Sequence, residues 1–269
     1  MSNLDMTIFR PGCHMVSMGD GISIFPPKGG AAAGNGLLNN LIAYWPGNEV
    51  AGNALDLHTN ALHLTDTNTV TSNPGLSYPL ARQYTAANAE YHTRPGDDAL
   101  LSAGDTDFTL ALCIYMDSKP GSSMIVAGKD QIGATVREYD ILWNQATDRY
   151  RWIVFDGTNL IGDVSANTFG VPALNTWYLV VAWHNAVANT VSIQINGGVV
   201  DVAGTGGVPG DTLAVFQLSM LNVLYRWDGR ANPTMFWKSA PGAGGILTAA
   251  QRTALWNGGV PLTYAAFTV

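Results

Sequence analysis

Charge is what this chain has least of. Asp, Glu, Lys and Arg make up only 12% of its 269 residues, about half the roughly 25% usual in soluble domains. The acids outnumber the bases, 20 to 13, for a net charge of −7. Phosphate neutralisation requires clustered Lys and Arg, so nucleic acid is excluded as a partner. An anionic membrane surface is disfavoured on the same ground. No apolar run reaches the 18 or more residues of a bilayer span. Met1 to Arg10 has no basic stretch leading into an apolar one, so a secretory leader is not expected and synthesis in a cytoplasm is. Cysteine is nearly missing. Cys13 and Cys113 read either as two unpaired thiols in a reducing compartment or as one bridge between the N-terminal region and the core.

What remains is apolar and rich in turn residues: 47% hydrophobic, with 30 glycines. A skin of Asn, Thr, Gly and Ala with few charges suits a surface covered by neighbouring subunits, and a homo-oligomer is expected. Two regions separate along the chain. Residues 1–38 carry Pro and Gly at a density that blocks long helices and central strands, and they end in a linker-like Ala31-Ala32-Ala33-Gly34-Asn35-Gly36. Ile8, Phe9, Met15, Val16, Ile22, Ile24 and Phe25 make the same region too apolar for a solvated tail. An extended arm that lays these side chains on a partner fits better.

Residues 39–269 read as strand after strand. In Asp107 to Met116, alternate positions Phe108, Leu110, Leu112, Ile114 and Met116 share one face. Glu138 to Trp143 and Arg149 to Phe155 form one hairpin, and Trp177 to His184 and Thr190 to Ile195 another. Asn196-Gly197-Gly198 turns the chain into a further strand, and Ala214 to Leu221 reads as one more. A single helix is expected over Ala249 to Trp256, with Thr248 and Gln251 as a capping box and Gly258 as its stop. The fold class is therefore all-β: a two-sheet antiparallel jelly-roll sandwich with one short C-terminal helix and an extended N-terminal arm.

Several segments in this order resemble the concanavalin A-like, laminin-G-like jelly rolls. They are Leu41-Ile42-Ala43-Tyr44-Trp45-Pro46, Ala81-Arg82-Gln83-Tyr84, Asp107-Phe108-Thr109-Leu110-Ala111, Asn175-Thr176-Trp177-Tyr178, and the closing Leu255-Trp256-Asn257-Gly258-Gly259. The resemblance implies binding of sugars, proteins or calcium, with glycosidases among the relatives. The chain departs from the pattern at Asn232-Pro233, where many members carry an acidic pair. That leaves Glu49, Asp228 and Asn232 as the oxygen ligands for any Ca²⁺, and no cofactor is otherwise expected.

The glycosidase chemistry of such folds needs two carboxylates flanking the scissile bond. Glu138 and Asp140 are the nearest pair, at a spacing that puts both on one face of a strand. Without a third acid they read as a solvent-facing strand edge. The five histidines show no metal-ligand spacing, and neither a nucleophile elbow nor a phosphate loop occurs. No enzyme is expected. Most tryptophans at strand spacing belong to the core. Trp143 and Trp227, beside turns, are the better candidates for glycan contact. The expectation is a virion structural protein, a bacteriophage capsid decoration or tail-associated protein. Its arm would anchor it to capsid or tail subunits, and it would have capacity for a host surface glycan. A carbohydrate-binding module or lectin outside any virion is the alternative.

Overall fold

The structure is a computed structural model. It describes residues 34–131, 136–220 and 225–269, together with the backbone of 16–18 and 21–23. Ile8, Phe9, Cys13, Met15, Ile24 and Phe25 lie outside the described residues. Val16 and Ile22 fall in two short strands, β1 (Val16–Met18) and β2 (Gly21–Ser23), paired antiparallel as a small hairpin. This hairpin belongs to one unit, Met1–Asn35.

The second unit, Gly36–Val269, is the sandwich. It takes in Leu37 and Leu38, which the sequence reading leaves in the linker; Leu37 is buried. Its strands are β3 (Leu41–Trp45), β4 (Thr65–Thr67), β5 (Thr71–Pro74), β6 (Leu80–Tyr84), β7 (Tyr91–Thr93), β8 (Asp107–Met116), β9 (Met124–Gln131), β10 (Val136–Asn144), β11 (Arg149–Gly157), β12 (Leu160–Ser165), β13 (Trp177–Asn185), β14 (Thr190–Ile195), β15 (Val200–Gly204), β16 (Phe216–Leu218) and β17 (Gly229–Ser239). One sheet has seven strands in the order β12-β11-β10-β9-β16-β7-β4. The other has eight, β15-β14-β13-β8-β17-β6-β5 with β3 also paired to β17. The pairs are antiparallel, and the expected two-sheet jelly roll is what forms.

Local chemistry explains the turns. Asn196 and Gly197 both take positive φ, 53° and 65°, which a tight hairpin between right-twisted strands requires. The helix α1 (Ala249–Trp256) starts at the expected capping box: Thr248 accepts from the Gln251 backbone N–H, and the Gln251 side chain accepts from the Thr248 N–H. It ends one residue before the expected glycine, at Asn257 with φ 46°; Asn tolerates the left-handed region, so Gly258 is not needed for the first stop. The strand expected over Ala214 to Leu221 is reduced to β16. Ser219, at φ 75°, leaves the extended region there and ends the ladder.

Period-two alternation fills the space between the sheets. Phe108, Tyr139, Trp152 and Phe236 pack with ring centroids 5.2–5.9 Å apart, and Trp45 stacks on Phe216 at 5.2 Å. A second core lies on the outer face of the eight-stranded sheet. There Leu247, Leu255 of α1 and Phe267 cover Leu41, Ala111, Leu179 and Trp237. The Trp237 Nε1–H donates to the Leu37 carbonyl at 2.8 Å, and its ring stacks on Phe267. Each fully buried side chain of this size contributes about 1.5–3 kcal/mol. The C-terminal segment is thus a packed lid on one sheet. Among the described residues no helix is long and apolar enough to cross a membrane.

Candidate functional site

The outer face of the seven-stranded sheet carries no such lid among the described residues. Along β10 and β11 the residues Tyr139, Ile141, Trp143, Trp152 and Val154 point inward to the main core. Their alternates Leu142, Ile153 and Phe155 form, with Ile125 of β9, a separate small apolar cluster on the other side. Over this floor runs a cleft of about 220 Å³. Its polar wall is Arg137, Asp140, Asn144, Arg151, Ser123 and the half-exposed Tyr225. A smaller cleft of about 130 Å³ lies beyond Asp130, lined by Gln131, Val215 and Gln217.

The pairing register aligns these clefts. Asp163, Ile153, Asp140, Gly128, Gln217, Thr93 and Thr65 are successive cross-strand neighbours in one row. With strands about 4.8 Å apart, Asp163 to Gln217 spans about 19 Å across the sheet.

At the centre of the row sits Asp140, fully buried although it faces the cleft. Gly128 makes room for it: a Cβ built there would lie 1.9 Å from Asp140 Oδ1. Neither carboxyl oxygen of Asp140 has a hydrogen-bond donor among the described residues. Its neighbour is the Asp130 carboxylate, and two carboxyls hydrogen-bond only when one of them holds a proton. Asp130 is itself held by Arg137, whose Nε lies 2.9 Å from Oδ1 and whose terminal nitrogen donates at 2.8 Å to Oδ2. Burial, and then the adjoining Asp130 charge, push the Asp140 carboxyl well above the usual carboxylate range, with Arg137 opposing. The Arg137 guanidinium also lies 3.8 Å from the centre of the Phe155 ring, a cation–π contact. On the rim, Arg151 donates to both oxygens of Asp163.

The structure overturns the reading of Glu138 and Asp140 as a solvent-facing edge, because both are fully buried. A register shift between Arg137 and Tyr139 breaks the alternation, as a β-bulge does. Glu138 takes up the buried Lys129 ammonium at 2.5 Å and the Ala103 and Thr212 N–H groups. Asp140 is left alone with Asp130 and Arg137.

Trp143 and Trp227 are not exposed either; their side chains are 2% and 0% accessible. Trp143 keeps the inward phase of Tyr139 and Ile141, and its Nε1–H donates to Asp148. Trp227 packs into the main core just before β17. Nearness to a turn does not override the pull of so large an apolar area. The tryptophans that keep part of their surface are Trp177 and Trp256. Trp177 lies beside Tyr115 at 5.4 Å, and the Arg230 guanidinium covers Tyr115 at 4.2 Å.

Glu49, Asp228 and Asn232 do not converge. Glu49 accepts from the Leu55 N–H, and Asp228 accepts from Ser118 and the Ala86 N–H. Asn232 is buried, donating to the Pro46 and Leu80 carbonyls at 2.8 and 2.5 Å; it ties β3, β6 and β17 together. Among the described residues no three His, Cys, Asp or Glu side chains are grouped to hold a metal ion.

Sequence reasoning missed β9 altogether and with it Gly128, Asp130 and the clefts. The available signal was a glycine inside an apolar run, Met124 to Lys129, which marks close approach of another group.

A family model described as the concanavalin A-like lectin/glucanases superfamily matches residues 88–243, which hold every strand of the larger cleft. No curated protein sequence matches. Among solved structures, domain 4 of AbnA, a GH43 extracellular arabinanase from Geobacillus stearothermophilus, in complex with arabinotriose, is similar. Its TM-score is 0.53 at 15% identity, over 78% of this chain and 98% of that one. The binding domain of Paraclostridial Mosquitocidal Protein 1 gives 0.60 at 14% identity, over 77% of this chain and 51% of that one. Trypanosoma rangeli sialidase in complex with sialic acid gives 0.53 at 12% identity, over 81% and 32%. The chain thus spans about half of the toxin domain and a third of the sialidase. At these identities the likeness is one of fold.

Proposed function

The chain belongs to the concanavalin A-like lectin/glucanases superfamily, and on that premise we propose that it is a non-catalytic carbohydrate-binding protein. Its ligand lies across the outer face of the seven-stranded sheet. One observation carries the reading: an apolar floor ringed by hydrogen-bonding side chains, among them Ser123, Asn144, Arg151 and Tyr225. Sugars offer both apolar C–H faces and hydroxyls, and such a surface matches both. The similar arabinanase domain, solved with arabinotriose, supports the ligand class.

Binding rather than hydrolysis is supported by the acids. A retaining glycosidase holds its carboxyls about 5–5.5 Å apart around the bond, and an inverting one holds them further. Here Asp140 is fully buried beside Asp130, which Arg137 holds, and Glu138 is turned to Lys129. Affinity electrophoresis in soluble arabinan and a glycan array, each with and without calcium, test the reading. Retardation that Asp140→Leu removes is the expected result. Absence of binding to every glycan would leave the cleft without this function.

The virion setting is a second proposal, supported by the apolar, Gly/Pro-rich composition of residues 1–38 and by the separation of Met1–Asn35 as a unit. Extended segments of this kind add backbone and apolar contacts to a neighbouring subunit. Removing residues 1–33 should abolish incorporation into particles, and incorporation at the full level would end the proposal.

A further inference from the structure

We infer that the ring of Tyr225 is the stacking surface of the cleft, on which a sugar lays its C–H face while its hydroxyls meet the polar wall; this rests on the carbohydrate reading of the cleft and adds the gripping residue to it.

Folding alone would not put a tyrosine at this point. Tyr225 has φ 51°, in the left-handed region, where the Cβ of an L-residue crowds the backbone and a bulky side chain is an outlier. Among the described residues, the other non-glycine positions at positive φ are Asn, Asp, Ala, Ser or Thr. Neighbouring contacts impose the conformation. The Ile125 N–H donates to the Tyr225 carbonyl at 2.7 Å. On the other side, Arg226 donates to the Ala86 carbonyl, and Trp227 sits in the main core with its N–H on the Ser219 carbonyl. Asn would hold such a turn with less strain. The tyrosine recovers little of that strain by packing, because 42% of it is exposed.

The place of Tyr225 in the cleft accounts for the ring. It is the one aromatic residue among those lining the cleft of about 220 Å³. Its phenol is near enough to the Arg137 guanidinium, on the same wall, to act on it electrostatically. The floor residues Ile125, Leu142 and Ile153 are only 5%, 6% and 9% accessible. They close the cleft from below, and Tyr225 presents the apolar area that a ligand can cover. Hydrogen-bonding groups stand around it. Arg151 reaches the cleft from its pair with Asp163. Asn144 uses its side-chain oxygen on Thr147 and so presents its NH2 group. The Ser123 hydroxyl accepts from the Gln145 N–H and has its own hydrogen to donate. A broad apolar face beside several donors matches the C–H face and hydroxyl oxygens of a sugar ring.

The test uses the full chain and two variants, with affinities read for arabinotriose by titration calorimetry and for each glycan of an array by dose response. Tyr225→Phe keeps the ring, and its affinity should stay within about threefold of wild type. Tyr225→Asn keeps the turn and removes the ring, and its affinity should fall about tenfold. Release of the backbone strain should leave the Tm of Tyr225→Asn level with wild type or raise it by up to about 4 °C. A tyrosine that only supported the fold would not give binding loss without stability loss. Equal affinity of Tyr225→Asn and wild type overturns the inference and leaves carbohydrate binding intact. So does a Tyr225→Phe affinity as low as that of Tyr225→Asn, which assigns the contact to the hydroxyl. A Tm of Tyr225→Asn more than about 4 °C below wild type also overturns it, since the ring is then a structural support. Wild type that binds neither arabinotriose nor any glycan of the array ends the carbohydrate reading and the stacking role together.

Discussion

Gly128→Ala is the smallest perturbation that reaches the centre of the cleft. The added Cβ would stand 1.9 Å from Asp140 Oδ1, 2.9 Å from its Cγ and 2.7 Å from the Tyr139 carbonyl oxygen. Ordinary contacts between heavy atoms lie near 3.5–4 Å, so the carboxyl would have to retreat by roughly 1.5 Å. Overpacking of this kind costs about 1–3 kcal/mol. For a sandwich of this size each kcal/mol lowers Tm by about 2–4 °C, so a fall of about 2–12 °C is expected by calorimetry. A double-mutant cycle with Asp140→Ala separates the two clashes. Removing the carboxyl relieves the closest contact but not the one with the Tyr139 carbonyl. The double variant should therefore be more stable than the sum of the single effects, by about 1 kcal/mol. Additive effects, or a Gly128→Ala protein melting within a degree of wild type, would refute the cradle.

The raised proton affinity of Asp140 has a sign that can be measured. Because the folded state holds this proton more tightly than the unfolded chain, where Asp titrates near pH 3.9, the stability it contributes is full below that pH. It is lost as pH rises toward the folded value. Unfolding curves from pH 4 to 8 should show wild type losing ground steadily against Asp140→Asn, and a pH-independent difference would contradict the assignment. Thr248→Ala removes the capping hydrogen bond of α1 and should cost about 1 kcal/mol in chemical denaturation. Trp237→Ala opens the lid core and removes the Trp237 bond to the Leu37 carbonyl, with an expected loss of about 3–5 kcal/mol. Burial pushes the Cys113 thiol up, so in a Cys13→Ser background a thiol reagent should modify Cys113 only at the rate of unfolding.

The fold was largely legible because it depends on alternation and turn chemistry, which are local. The hairpins ending at Asn144–Asp148 and Asn196–Gly198 and the Thr248 capping box each need only a few adjacent residues. The cleft depends on register between strands distant in sequence. Glu138 and Asp140 have the right spacing for one face, and a one-residue bulge opposite Asp130 and Lys129 separates them. No pattern inside β10 announces that bulge. Trp143 and Trp227 failed as contact residues for a related reason. Position beside a turn says how near a residue is to the end of a strand, not which way its side chain points. Trp143 follows Tyr139 and Ile141 inward, and that phase could have been counted.

The two outer faces show why the cleft falls where it does. A two-sheet sandwich buries the inner faces and leaves each outer face to be covered or wetted. On the eight-stranded sheet the outward residues of the central strands are Ala111, Cys113, Leu179, Val181, Met235 and Trp237, too apolar to meet water. The C-terminal segment with α1 lies over them. On the seven-stranded sheet the outward row alternates apolar with hydrogen-bonding groups, Ile153 beside Asp140 and Gly128 beside Gln217. Such a row needs no lid to fold, since its apolar floor is only four side chains and Arg137 already shields Phe155. What folding cannot supply there is a donor for the Asp140 oxygen, because the nearest side chains are another carboxylate and an arginine committed to it.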